Sequence, residues 1–172
     1  MRCVITRTGA TPLSWATSFM QEVLPGNFYE ERKWTMAIKQ YSLMADGNRR
    51  LAPDFKVREL RCRDGTDTVM VDEVLTVVLQ CIREHFGKPV VITSGYRTAA
   101  HNAAVGGAKS SQHLLGRAAD IRVQGVSVED VAAYAESLMP GWGGVGRYPI
   151  KVDRATGWVH VDTRANKSRW TL

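Results

Sequence analysis

The stretch from Asp72 to Phe86 constrains the fold more than any other part of the chain. Val74, Leu75, Val78, Leu79, Ile82 and Phe86 recur at helical spacing, which lays one wide apolar stripe along a helix. Asp72 stands where a side-chain oxygen can cap the first turn, and Gly87 where a left-handed residue ends the last. Pro89 to Thr93 follows at once and reads as a buried strand, rich in valine and isoleucine. Further along, Ala118 to Val123, Gly143 to Tyr148 and Trp158 to Thr163 also have strand character. Ser127 to Leu138 reads as a second helix, with Ser127 and Asp130 resembling a capping box in which Asp replaces the usual Glu. The order of these helices and strands suggests the α+β class, with helices packed on a small, mainly antiparallel sheet.

The 172-residue length suits one domain with an extra segment at one end. Residues 1–35 read as that N-terminal extension, and 36–172 as the main domain. Within the extension, Thr11-Pro12 can start a helix that carries Trp15, Phe19 and Val23 on one face and stops at Pro25-Gly26. From Tyr41 to Leu60 the chain alternates between strand and turn. Asp46-Gly47-Asn48 marks a turn, and Phe55, Val57 and Glu59 suggest an extended segment. The three cysteines, Cys3, Cys62 and Cys81, have no CxxC spacing and an odd count. Free buried thiols are the better reading than a disulfide framework or a cysteine metal site.

The formal charge of +6 attracts polyanions, among them nucleic acid and the anionic bacterial cell wall. The basic residues are spread out, and no nucleic-acid motif stands among them, so a nucleic-acid partner is not expected. No apolar run reaches the roughly 20 residues that a membrane helix needs. Met1 to Ala10 lacks the apolar stretch of a signal peptide. A substrate outside the cytoplasm would therefore require delivery by another route.

Only four histidines occur: His85, His101, His113 and His160. Two histidine nitrogens and one carboxylate oxygen make a catalytic zinc site with a position left open for water. His113 precedes Asp120 by seven residues, with Gly116 to turn the chain between them. In Trp158-Val159-His160-Val161-Asp162, alternation sends His160 and Asp162 to one face and the valines to the other. His85, near a helix end, reads as a surface residue compatible with the helix dipole. His101 and Asn102 read as local packing at a short helix.

The residues around these positions carry a resemblance. Ser111-Gln112-His113-Leu114-Leu115-Gly116-Arg117-Ala118-Ala119-Asp120 resembles the SxHxxGxAxD signature of D-alanyl-D-alanine carboxypeptidase-like zinc metallopeptidases. Ser94-Gly95-Tyr96-Arg97-Thr98 resembles their upstream SxYR segment, and Trp158 to Asp162 their closing strand. The agreement runs over about residues 53 to 164. It implies the small α+β domain shared by lysostaphin, D-Ala-D-Ala peptidases and the hedgehog signalling domain. It implies zinc bound by His113, Asp120 and His160. Arg97 would hold a substrate carboxylate or carbonyl, which suits a planar, permanently charged guanidinium. Ser111 would orient substrate or a ligand, against the simpler reading of a turn-forming serine. Gly116 and Ala118 would be small for steric reasons.

The implied activity is hydrolysis of peptide bonds in peptidoglycan stem peptides, by a carboxypeptidase or an endopeptidase of endolysin type. The absence of an export signal points toward a phage or prophage lysis enzyme that other proteins release to the cell wall or periplasm. Two departures from the family pattern bear on the chemistry. Gly157 stands where relatives often carry an acid three residues before the last histidine, and Trp158 where many have another histidine. Asp162 is the preferred substitute for the missing general base. A second reading makes it a partner that orients a metal ligand, and Asp153 is a weaker candidate for the base. Should no base reach the site, the chain would be a zinc-stabilised binding module of the cell wall with little turnover.

Overall fold

The computed structural model describes residues 38–152 and 156–172. The helix of strongest sequence signal forms as expected: α2, Glu73–Phe86, is capped by the Asp72 carboxylate at the Val74 N–H and ended by Gly87 at φ 58°. Asp72 is also the last residue of β4, Thr68–Asp72, so strand and helix join without a loop. β4 pairs antiparallel with β1, Ile38–Ser42. Between these strands lie a short helix α1, Leu43–Asp46, and a hairpin of β2, Arg50–Ala52, with β3, Phe55–Lys56.

The extended segment expected through Glu59 ends early. Val57–Leu60 forms a 3-10 turn instead. Val57 and Leu60, three residues apart, are both buried, and a three-residue repeat brings them to one side. Glu59 fastens the turn by accepting the Lys56 N–H at 2.8 Å.

The main sheet has five strands in the order β5-β6-β8-β7-β9. They are β5, Val90–Ser94; β6, Ala118–Val123; β7, Gly144–Tyr148; β8, Trp158–Asp162; and β9, Ser168–Thr171. All neighbouring pairs are antiparallel except β7 with β9, which is parallel. β5 is an edge rather than a fully buried strand, because only β6 pairs with it, and Val91 is 54% exposed. Helix α4, Val128–Leu138, begins at Ser127, whose hydroxyl accepts the Asp130 N–H and donates to its carboxylate.

Strand alternation divides the sheet into two faces. Ala119, Ile121, Val145, Val159 and Val161 join Leu75, Leu79 and Ile82 of α2 and Val131, Ala135 and Leu138 of α4 in one core. Burying each of the larger side chains contributes about 1.5–3 kcal/mol. Cys62 and Cys81 are free and buried. Cys3 and the expected N-terminal helix lie outside the described residues, as does Asp153. No helix among the described residues is long and apolar enough to cross a membrane.

Candidate metal centre

The opposite face of the sheet is polar. Register sets one row straight across it: Ser94 opposite Asp120, Asp120 opposite His160, His160 opposite Gly146, and Gly146 opposite Trp170. His113 reaches the row from a 3-10 turn, Gln112–Leu115, that precedes β6. Ser111 caps this turn by accepting the His113 N–H at 3.3 Å. Gly116 closes it at φ 67°, pressed so tightly on the Met70 carbonyl that no side chain would fit. The turn is thus pinned to β4, and the Asp72 N–H adds a hydrogen bond to the Gly116 carbonyl at 2.9 Å.

His113, Asp120 and His160 are all buried, and one ligand atom from each lies within 4.8 Å of the others. Asp120 Oδ1 is the common point, 3.3 Å from His113 Nε2 and 2.9 Å from His160 Nδ1. The imidazoles meet at 71° with centroids 5.0 Å apart.

Each remaining ring nitrogen has its own partner. His113 Nδ1 lies 2.7 Å from the Gly95 carbonyl. A carbonyl only accepts, so Nδ1 carries the proton and neutral His113 turns the lone pair of Nε2 toward Asp120. His160 Nε2 lies 3.0 Å from Asp162 Oδ2, which leaves Nδ1 to face Asp120. A ring nitrogen that faces a carboxylate oxygen with its lone pair is repelled by it unless a cation, a proton or a metal, lies between them. This donor set, two nitrogens and one oxygen on buried side chains, fits a divalent metal such as zinc.

In the absence of a metal, protons on the histidines can fill that role. Burial by itself raises the pKa of Asp120, but hydrogen bonds and charge from His113 and His160 outweigh it and hold the carboxyl well below the usual range. Burial likewise pushes His160 down, while Asp120 and Asp162 together push it above the ordinary histidine value. For Asp162 the upward effect of burial is overcome by hydrogen bonds from His160 and Arg164.

The other expected site residues take definite places. Arg97 donates from Nη2 to Asp120 Oδ2 and from Nε to Ser94 Oγ, both at 2.8 Å. Its backbone N–H meets the His113 carbonyl at 3.1 Å. Asp162 has no exposed surface; it holds His160 on one side and Arg164 on the other. Asn102 is buried, with its amide on the Ala108 carbonyl. Helix α3, Ala99–Ala104, carries it together with His101. His85 stands apart, stacked on Tyr134 with centroids 3.6 Å apart. Tyr148 and Trp158 stack half-buried beside the row, 4.7 Å between centroids.

Sequence reasoning missed Gly95, Arg164 and Trp170. The Gly95 contribution is a backbone carbonyl, which no residue type announces. Arg164 lies two positions beyond Asp162, a spacing at which an Asp can bind a following N–H. That signal was available.

Residues 53–162 match the model of the family described as Peptidase M15. The chain belongs to the peptidase M15 family. Among individual proteins, it is 40% identical over 79 residues to the probable peptidoglycan L,D-endopeptidase MepK of Haemophilus influenzae, covering 43% of this chain and 39% of the relative. It is 36% identical over 81 residues to the peptidoglycan L,D-endopeptidase MepK of Escherichia coli K12, covering 44% and 41% respectively. The matched region thus spans about two-fifths of the length of these curated relatives. The M15 match contains His113, Asp120, His160 and Asp162 and stops short of Arg164.

Proposed function

We propose that this M15 peptidase is a zinc-dependent hydrolase of peptide bonds in peptidoglycan stem peptides. The observation that carries the reading is the convergence of His113 Nε2 and His160 Nδ1 on Asp120 Oδ1 in a buried setting. The names of the relatives favour an endopeptidase cutting between an L- and a D-centre over a carboxypeptidase. When bound, zinc supplies a Lewis acid for the scissile carbonyl and makes water nucleophilic near neutral pH. The chain's own side chains do the rest. Asp120 is kept anionic and aimed by Arg97. The Arg97 guanidinium has its remaining Nη1 for a carboxylate or carbonyl of the substrate. Ser111 contributes by fixing the turn that presents His113.

Asp162 serves this reaction best as the partner that orients His160. A base must reach the attacking water, and a carboxylate with no exposed surface, already engaged by His160 and Arg164, is poorly placed to do so. The two roles separate in Asp162→Asn. As an orienting partner, its loss weakens zinc affinity about 10- to 100-fold, and turnover falls with it. As the base, its loss would leave zinc affinity intact and abolish turnover alone.

The decisive experiment incubates the protein with purified peptidoglycan, with zinc and with a chelator, and reads the products by mass spectrometry. New amino termini within the stem peptides, released only with metal, support the hydrolase. Release of terminal D-Ala alone would assign a carboxypeptidase. Retention on the cell wall with no products under any metal condition would favour a zinc-stabilised binding module, the reading to which Gly157 in place of an acid lends weight.

A further inference from the structure

His160 is gripped at both nitrogens by carboxylates, and each carboxylate is backed by an arginine. The chain of contacts runs Arg97, Asp120, His160, Asp162, Arg164. The two ends do different work. Arg97 acts on Asp120, itself a metal-ligand candidate. Arg164 acts on Asp162, which faces the metal position only through the imidazole.

We propose that Arg164 is a positioning residue: by locking Asp162, it fixes the ring orientation and tautomer of His160, so that Nδ1 is presented to the metal. This rests on the metal-centre reading above and adds a residue beyond the stretch that matches the family.

Four donors of Arg164 and His160 converge on the two oxygens of Asp162. Arg164 Nε reaches Oδ1 at 2.8 Å and Oδ2 at 3.0 Å, Nη2 reaches Oδ2 at 2.6 Å, and the Arg164 backbone N–H reaches Oδ1 at 3.0 Å. His160 Nε2 takes Oδ2 at 3.0 Å. The carboxylate therefore cannot swing without losing several charge-assisted bonds at once. Gly144 blocks the other direction, since its backbone is packed so closely on the Asp162 carboxylate that even a Cβ would collide with it. An acceptor fixed in this way favours a proton on the ring nitrogen that faces it, so that when Nδ1 gives up its own proton to a metal, Nε2 keeps the other.

Arg164 is itself held. Its guanidinium lies 5.5 Å from the centroid of Trp170. The Trp170 ring covers Gly146, where no side chain could share the space. Trp170 Nε1 donates to Tyr148 Oη at 3.2 Å, and the ring stands 5.3 Å from the His160 centroid. A guanidinium braced on an aromatic face spends little further conformational entropy in holding its carboxylate. Arg164 also roofs Asp162: its own side chain remains 33% exposed, while that of Asp162 is 0% exposed.

The test compares wild type with Arg164→Gln and Arg164→Lys. Zinc affinity is measured by competition with a chromophoric chelator, and the His160 tautomer of the metal-free protein by nitrogen-15 NMR of the imidazoles. In wild type, above the pH at which His160 gives up its second proton, Nε2 is expected to keep its proton and Nδ1 to lose it. Arg164→Gln is expected to weaken zinc binding about 10-fold and to mix the tautomers. Arg164→Lys, which keeps the charge on one nitrogen without the planar fork, should fall between the two. A residue serving stability alone would lower the melting temperature and leave tautomer and affinity of the folded fraction unchanged, and that result overturns the proposal. If Arg164→Gln does not fold, a lysine variant matching wild type in both readouts overturns it equally, because a single point charge cannot lock both oxygens. Failure of the wild type to bind zinc would instead remove the metal-centre reading itself.

Discussion

The two faces of the five-stranded sheet are made by the same strands and differ at every second residue. On one face, Ile121, Val159, Val161 and Val145 pack under α2 and α4. On the other, Asp120, His160 and Asp162 form a chain of hydrogen bonds. The apolar face is stabilised by removal from water, which depends on area and shape and tolerates exchange of similar side chains. The polar face is different in kind. Each buried charge there is costly unless its partner is exactly opposite in sign or hydrogen-bonding role, so the set has to be complete. On the proposed reading, one face specifies stability and the other a cation, and the two should separate under mutation.

The largest expected effects set the faces against each other. His113→Ala or His160→Ala should weaken zinc binding by on the order of 100-fold or more and remove hydrolysis with it. The core face is untouched, so the fold should survive, with a lower melting temperature because buried Asp120 loses a partner. Ile121→Ala should do the reverse. Ile121 has no exposed surface, and its truncation should cost about 2–5 kcal/mol of stability, with unchanged zinc affinity in the folded fraction. Thermal melts and chelator competition on both variants check the contrast. An Ile121→Ala protein that kept its melting temperature but lost zinc would break it.

A smaller effect sharpens the comparison through pH. In the metal-free protein, His160 is raised above its ordinary value. Its stabilising contribution is fully present below about pH 6.5 and is lost as pH rises through the raised value. Asp120 and Asp162 are depressed. Their contribution is present above about pH 4 and disappears only as pH falls through the depressed values. Between these limits the metal-free site is held together by its own protons. Zinc must displace those protons, so its stabilisation grows with pH. The rise in melting temperature on adding zinc should accordingly be larger at about pH 8 than at about pH 5. An increment independent of pH would mean that zinc binds away from His160.

How much of this was legible in the sequence differs between the faces for a physical reason. The core face was readable because periodicity is local: the α2 stripe and the valines flanking His160 follow from spacing alone. The placing of His160 and Asp162 on one side followed from the same alternation. The row from Ser94 to Trp170 did not, because it depends on register between strands far apart in the chain, and β9 with its parallel pairing to β7 left no usable signal. Asp162 shows the boundary clearly. Its face was predictable, and so was a bond to the Arg164 N–H, but whether the guanidinium closes over it depends on how the chain turns after β8, which spacing does not encode. Residue type alone misleads here too, as the histidines demonstrate.

His85 offers the smallest effect and the cleanest control. It is exposed at the end of α2, stacked on Tyr134 with planes 8° apart and edge-on to Phe86 at 4.7 Å. Its contacts are aromatic, and among the described residues no metal-binding group includes it. His85→Ala should therefore cost about 0.5–1.5 kcal/mol, the scale of an aromatic pair, and leave both zinc affinity and its pH dependence as in wild type. The same imidazole thus yields an effect on stability alone at position 85 and on metal binding at position 160. What separates them is the pair of carboxylates that only the second ring meets. A measurable loss of zinc in His85→Ala would show that the apolar side of the molecule reaches the metal after all, and would erase the division between the two faces.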